Sequence, residues 1–162
     1  MADASARPRS ELGFDLTPPT PGEREMLEAS LTAEEQDVLL HHGTEAPFCG
    51  GLLNEKEAGV YCCRLCGLPL FDSPTKFESG TGWPSFFMPI DKAHVRGVED
   101  NSYGMRRIET RCARCDSHQG HVFPDGPPPT RLRFCINSVS LSFVPEGERL
   151  PDPMNRGDAL KR

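Results

Sequence analysis

The sequence has no long apolar run and no cluster of lysines or arginines. We therefore expect no signal peptide and no membrane span, and the formal charge of −6 offers no basic surface to nucleic acid. Seven cysteines are too few for a disulfide scaffold of 162 residues, and their number is odd. These absences predict a cytoplasmic protein whose cysteines act as metal ligands or reactive thiols.

Glycine and proline are abundant, with 15 and 16 residues, which excludes a helical bundle or coiled coil. Two capping boxes, residues 20–23 and 32–35, each predict the start of a short helix, the second ending near His42. Beyond Val60 the chain contains short runs of branched and aromatic residues separated by turn formers. The predicted strands cover residues 60–61, 68–71, 103–110, 132–137 and 141–144. This pattern predicts a mainly β, antiparallel domain with short N-terminal helices.

Differences in composition along the chain divide the sequence into three segments. Residues 1–19 are small, polar and rich in proline, so we expect a flexible N-terminal arm. Residues 20–146 form the predicted domain, and residues 147–162 form a polar C-terminal tail.

Two pairs of cysteines have the spacing of metal-binding knuckles. Cys63 and Cys66 form the first pair, and Cys112 and Cys115 form the second. Four thiolates complete a tetrahedral set without an open position, so we predict one structural Zn²⁺ per chain. The alternative, a redox dithiol in one pair, needs a strand-helix-strand context that neither pair has.

A third cysteine lies in a segment of alternating character. On a strand, Arg133, Cys135 and Asn137 share one face, and Phe134 and Ile136 share the other. The guanidinium favours the thiolate of Cys135, which is the nucleophilic form. The alternative is an inert buried cysteine, but the polar neighbours favour a reactive one.

Residues 118–125 precede that strand and supply two candidate proton donors, His118 and His121, together with Asp125. A structural role for His118 stays open at this point. The single tryptophan, Trp83, lies in a loop rich in glycine, where it can be a pocket wall or part of the core.

The ordered set of motifs resembles the B-type methionine sulfoxide reductases over about residues 31–145. It comprises Gly43-Thr44-Glu45, the two cysteine pairs, Gly82-Trp83-Pro84-Ser85-Phe86, residues 118–127, and Arg133-Phe134-Cys135-Ile136-Asn137-Ser138. The resemblance implies a β-barrel-like fold with zinc on the four paired cysteines. It also implies reduction of methionine-R-sulfoxide, free or in proteins, for protein repair.

By the same resemblance, Cys135 attacks the sulfoxide sulfur and becomes a sulfenic acid. Trp83 and Phe123 contact the substrate. The remaining implied site residues position the substrate and help to protonate its oxygen; they are His118, His121, Asp125, Arg133 and Asn137. The motifs leave open which histidine donates the proton.

The sequence departs from the family pattern at Thr81, where many members have the resolving cysteine. Outside the predicted zinc ligands and Cys135, only Cys49 and Cys62 remain. We hypothesise that Cys49 forms a disulfide with Cys135 and that thioredoxin reduces it. A resolving role for Cys62 or an external thiol stays open.

We also expect a monomer. The alternative function is a zinc-stabilised β module that binds a ligand in an aromatic pocket without catalysis.

Overall fold

The computed structural model describes residues 8–160. Two α-helices, α1 (Pro21–Ala29) and α2 (Ala33–His41), begin at the predicted capping boxes. In each box the threonine hydroxyl accepts a hydrogen bond from the backbone N–H three residues later. Both helices contribute apolar side chains to the core, so the predicted helical starts are confirmed.

Nine strands follow the helices. They are β1 (Gly59–Cys63), β2 (Pro69–Asp72), β3 (Lys76–Phe77), β4 (Ser85–Phe86), β5 (Val95–Asp100), β6 (Arg107–Cys112), β7 (His118–Phe123), β8 (Arg133–Ile136) and β9 (Leu141–Pro145). One sheet has the order β2-β1-β9, and the other has the order β3-β4-β8-β7-β6-β5. All named pairings are antiparallel. The prediction of a mainly β, antiparallel domain is confirmed. Within residues 8–160 both sheets are open, and neither closes into a barrel.

Strands β5 and β7 were not predicted from the sequence. Strand β5 alternates only weakly and lies at the sheet edge, with no fully buried residue. Strand β7 contains two histidines, a glutamine and a glycine, which have low strand preference. Its partners β6 and β8 impose the extended conformation through their ladders.

Aromatic side chains form the centre of the core where the two sheets meet. Phe71 stacks on Phe86 at 4.5 Å between ring centroids, and Tyr61 meets Phe86 edge-on at 5.0 Å. Phe134 of β8 contacts Phe71 at 5.6 Å. The buried face of β8 is thereby fixed, which directs Cys135 to the opposite face.

The described parts of both terminal segments pack on this core. Phe14 is 4% exposed, and Leu150 and Met154 are also buried. Arg114, which lies inside the second cysteine pair, forms a fully buried ion pair with Asp158 at 2.9 Å. The first seven residues of the predicted arm lie outside the described residues. No helix within residues 8–160 is both long enough and apolar enough to cross a bilayer.

Candidate active site

Strand β8 presents Cys135 at the bottom of a cavity. Phe134 and Ile136 are buried, whereas Cys135 is half-buried on the other face, which confirms the predicted alternation. The cavity has a volume of about 280 Å³. Its lining consists of Thr44, Thr81, Trp83, Arg107, Gly120, His121, Phe123, Arg133, Cys135 and Asn137. It therefore contains most of the site residues that the sequence analysis named.

The pairing of β7 with β8 places His121 directly opposite Cys135. Side chains at directly paired positions lie about 5 Å apart at their β carbons. Gly120 allows this approach, because a β carbon there would lie 2.0 Å from the carbonyl oxygen of Cys135. Among the two candidate histidines, His121 is thus the one next to the thiol.

His118 lies on the same side of the sheet but outside this cavity. In a regular strand, residues three apart face opposite sides. The pairing of β6 with β7 contains a bulge at Gln119, and this extra residue places His118 on the same face of the sheet as His121. His118 is 2% exposed, and its Nδ1 donates to Glu109 Oε2 at 2.6 Å. Burial lowers the pKa of His118, so its imidazole is neutral at pH 7.

Arg133 is fixed by Asp125 and by an aromatic ring. Its Nε and Nη2 donate to the two Asp125 oxygens at 2.9 and 3.1 Å. Its guanidinium carbon lies 4.4 Å from the centre of the Phe123 ring. Asp125 is therefore a partner of Arg133, and neither histidine contacts it among the described residues.

Burial raises the pKa of the Cys135 thiol, although the Thr81 hydroxyl and the Arg133 guanidinium act in the opposite direction. The effect of Arg133 has the sign expected from the sequence, but loss of solvent outweighs it. Without substrate, Cys135 is therefore a protonated thiol at neutral pH.

A chain of hydroxyl groups lies beside the thiol. The Thr81 oxygen is 3.9 Å from the Cys135 sulfur and 2.8 Å from the Ser79 oxygen, which in turn contacts Ser85 at 2.7 Å. Trp83 forms the adjacent wall, and its Nε1–H donates to the Glu45 carbonyl at 3.0 Å. The structure thus places a hydroxyl beside the Cys135 thiol and an aromatic ring in the wall of the same cavity.

Asn137 braces the end of β8. Its side-chain oxygen accepts from the Glu45 N–H at 3.0 Å, and its amide donates to the Gln119 carbonyl at 3.1 Å. Asn137 is 3% exposed. It lines the cavity while its amide group joins three segments of the backbone.

The two remaining cysteines differ in access to solvent. Cys49 is exposed, whereas Cys62 is completely buried in β1. Cys49 lines a second cavity, which shares no lining residue with that of Cys135. The Phe48 N–H donates to the Gly82 carbonyl at 2.7 Å, so the segment of Cys49 lies against the loop that contains Thr81.

The four paired cysteines form one buried cluster. Their sulfur atoms all lie within 4.8 Å of one another, and the Cys63–Cys115 and Cys66–Cys112 sulfur distances are both 3.5 Å. A tetrahedral zinc with Zn–S bonds of about 2.3 Å separates its sulfur ligands by about 3.8 Å. The donor set and its spacing therefore fit a closed metal site.

Three site residues were missed by the sequence analysis. Arg107 lines the cavity, Asp100 contacts His121, and Glu109 contacts His118. Arg107 and Glu109 are two positions apart on a predicted strand, so their side chains lie on the same face. This spacing could have indicated both residues as candidates. Asp100 gave none, because its strand was not predicted.

A family model for the SelR domain matches residues 31–145, which includes the cavity and the cysteine cluster. The chain belongs to the SelR family. The resemblance that the motifs suggested is thereby confirmed.

Relatives of the SelR family that share the name peptide methionine sulfoxide reductase MsrB align with nearly the whole chain. The protein of Caulobacter vibrioides is 74% identical over 160 residues, which is 99% of both chains. That of Xylella fastidiosa is 63% identical over 145 residues, 90% of this chain and 94% of its own. That of Escherichia coli is 52% identical over 124 residues, 76% of this chain and 90% of its own.

Proposed function

We propose that this chain is a peptide methionine sulfoxide reductase that repairs oxidised proteins and uses Cys135 as its nucleophile. The observation that carries this assignment is a half-buried thiol facing an imidazole in a cavity with an aromatic wall. The family membership and the names of relatives at 63 and 74% identity support the same activity.

The first step transfers one oxygen atom. The Cys135 sulfur attacks the sulfoxide sulfur, the S–O bond of the substrate breaks, and the oxygen ends on Cys135 as a sulfenic acid. The sulfoxide gains two electrons and leaves as methionine, while the cysteine loses two. The proton lost by the Cys135 thiol ends on the transferred oxygen, so the step balances without a net proton from solvent.

We assign roles to the residues that form the walls of the cavity. Trp83 and Phe123 contact the methyl group and side chain of the substrate, and Arg133, held by Asp125, bears its charge beside the reacting sulfur. Asn137 maintains the end of β8. A single set of walls accepts one arrangement of oxygen and methyl on a chiral sulfur, and we assign the R epimer by resemblance.

We assign proton transfer to His121. It lines the cavity opposite Cys135, whereas His118 is buried on Glu109 and lines a different cavity. His118 then has a supporting role beside it, with 5.6 Å between the two ring centroids.

Recycling requires a second thiol, because the Thr81 hydroxyl cannot form a disulfide. We assign this role to Cys49, which is exposed and lies on a segment against the Thr81 loop. Its sulfur attacks the Cys135 sulfenic acid, a disulfide forms and water leaves; thioredoxin then reduces the disulfide by exchange. Phe48 has a φ of 65°, which bulky residues rarely adopt, so rearrangement of this segment relieves backbone strain.

The cysteine cluster holds one structural Zn²⁺ per chain in this proposal. With four thiolate ligands the ion has no open position, and its binding energy contributes to folding. We further propose that the enzyme acts as a monomer in the cytoplasm, where its thiols stay reduced.

A single turnover tests activity and recycling together. Reduced, zinc-loaded protein receives methionine-R-sulfoxide without reductant, and peptide mapping then locates the oxidised cysteines. The expected result is one equivalent of methionine and a Cys49–Cys135 disulfide. Cys49→Ser should still release one methionine but lose turnover with thioredoxin, because no internal thiol resolves the sulfenic acid.

Cys62→Ala is the matched control and should retain turnover with thioredoxin. Unchanged steady-state turnover of Cys49→Ser would refute the resolving role alone. No methionine from the unmodified protein would refute the reductase assignment and leave a binding module.

A further inference from the structure

The carboxylate of Asp100 is fixed at the rim of the active site by three contacts. Its Oδ1 accepts from the Ser102 N–H at 3.0 Å, and its Oδ2 lies 3.3 Å from Arg107 Nη2. The same Oδ2 lies 2.7 Å from Nε2 of His121. Asp100 and Arg107 are also directly paired between β5 and β6. The carboxylate is therefore held by the sheet itself.

This contact distinguishes the two nitrogens of His121. Nε2 is bonded to Asp100, whereas Nδ1 makes no hydrogen bond within residues 8–160. Since His121 lines the cavity opposite Cys135, Nδ1 is the ring nitrogen that remains available to a substrate.

We propose that Asp100 is a positioning residue that holds His121 through Nε2–H and thereby makes Nδ1 the atom that exchanges a proton with the substrate oxygen. This inference rests on the proposed function and names a residue that neither the motifs nor the resemblance indicated. A carboxylate partner fixes both the tautomer and the orientation of an imidazole.

The other carboxylates on this face are bound elsewhere. Asp125 forms an ion pair with Arg133. The carboxylate of Glu109 contacts the side chains of His118, His42 and Arg111. Among the residues that the structure describes, Asp100 is thus the one carboxylate hydrogen-bonded to His121. Its position at the end of an unpredicted strand explains why sequence motifs did not reveal it.

Charged and titratable groups surround His121 from each neighbouring strand. They are Asp100, Arg107, Glu109, His118, Arg133 and Cys135. The hydrogen bond from His121 holds the pKa of Asp100 far below its usual range, so its carboxylate stays ionised over the working range. Removal of that charge leaves the Arg107 guanidinium near the ring without its carboxylate partner.

The test combines Asp100→Asn with two measurements. Asparagine retains an oxygen for the Ser102 N–H but loses the charge. In single turnovers, methionine release should slow by about tenfold to a hundredfold, as for other partners that orient a functional imidazole.

Nitrogen NMR of His121 provides a readout that does not depend on activity. The neutral ring should bear its proton on Nε2 in the unmodified protein and become a mixture of tautomers in Asp100→Asn. This result can be obtained even if the unmodified protein releases no methionine, so failure of the proposed function and failure of this inference are distinguishable.

Two controls separate positioning from structural damage. Glu99→Gln removes a neighbouring exposed charge that pairs with Arg106 and should alter neither readout. In a His121→Ala background, Asp100→Asn should cause no further loss of rate. An additional loss there, or a neutral His121 with its proton on Nδ1 in the unmodified protein, would overturn the inference.

Discussion

At the scale of single residues, the environment of Cys135 determines the protonation state of its thiol. Its thiol is protonated at neutral pH because burial outweighs the nearby guanidinium and hydroxyl. A protonated thiol brings to the reaction the proton that the transferred oxygen needs. The proposed reaction would then begin from a thiol of low nucleophilicity, which disfavours oxidation of Cys135 in the absence of substrate.

Alkylation of Cys135 checks this interpretation. In Cys49→Ser, where the exposed thiol is absent, the rate with iodoacetamide should be low at pH 7 and still rise above pH 9, since only the thiolate reacts. Arg133→Leu should slow the reaction further at each pH, because the charge that favours the thiolate is lost. A plateau below about pH 8.5, the usual thiol pKa, would contradict the assignment.

Alternation alone was enough to predict that Arg133 and Cys135 share a polar face. It could not predict Asp100, whose relation to His121 depends on the order β7-β6-β5 across the sheet. Contacts between strands distant in sequence leave no local pattern. The burial that raises the pKa of Cys135 likewise depends on the whole cavity.

At the scale of elements, the paired strands β7 and β8 form the wall of the cavity that contains His121 and Cys135. The bulge at Gln119 places both histidines on one side of β7, contrary to the period of a regular strand. Gly120 then allows close contact with β8. Sequence alone identified both histidines as candidates, but only the bulged register explains how one faces the thiol and the other packs behind it.

Gly120→Ala tests the importance of this contact. The added methyl would meet the Cys135 carbonyl at 2.0 Å, so the strands must separate. We expect a loss of about 1–3 kcal/mol in the free energy of unfolding and slower methionine release. Gly22→Ala, which has open space around it, is the matched control and should not destabilise the protein. Equal urea midpoints for the two variants would argue against a tight contact.

At the scale of the whole molecule, the terminal segments support the cluster of four paired cysteines. Arg114 lies between two of the predicted zinc ligands, donates to the Cys66 carbonyl at 2.8 Å and pairs with Asp158. The polar composition of residues 147–162 predicted a tail. However, Leu150 and Met154 in this segment are buried, and Asp158 pairs with Arg114, 44 positions earlier in the chain. No local sequence pattern predicts an ion pair between residues so far apart.

Asp158→Asn should destabilise the zinc-loaded protein by about 3–5 kcal/mol, because the buried guanidinium of Arg114 loses its counter-charge. Glu148→Gln removes an exposed charge from the same segment and should have little effect. Urea unfolding measures the loss of stability, and the zinc content shows whether the four-cysteine cluster retains the ion. If both variants unfold at the same urea concentration, the ion pair does not stabilise the fold.

The order of strands also determines how often each thiol becomes accessible by local unfolding. Cys135 lies on β8, with neighbours on both sides in the six-stranded sheet, whereas Cys49 lies on an exposed turn. Central strands open rarely and exposed turns open often. Amide hydrogen exchange should therefore be slow around Cys135 and fast around Cys49. In the proposed cycle, oxygen transfer takes place on a rigid surface, and the more frequent opening of the turn brings the Cys49 sulfur to it.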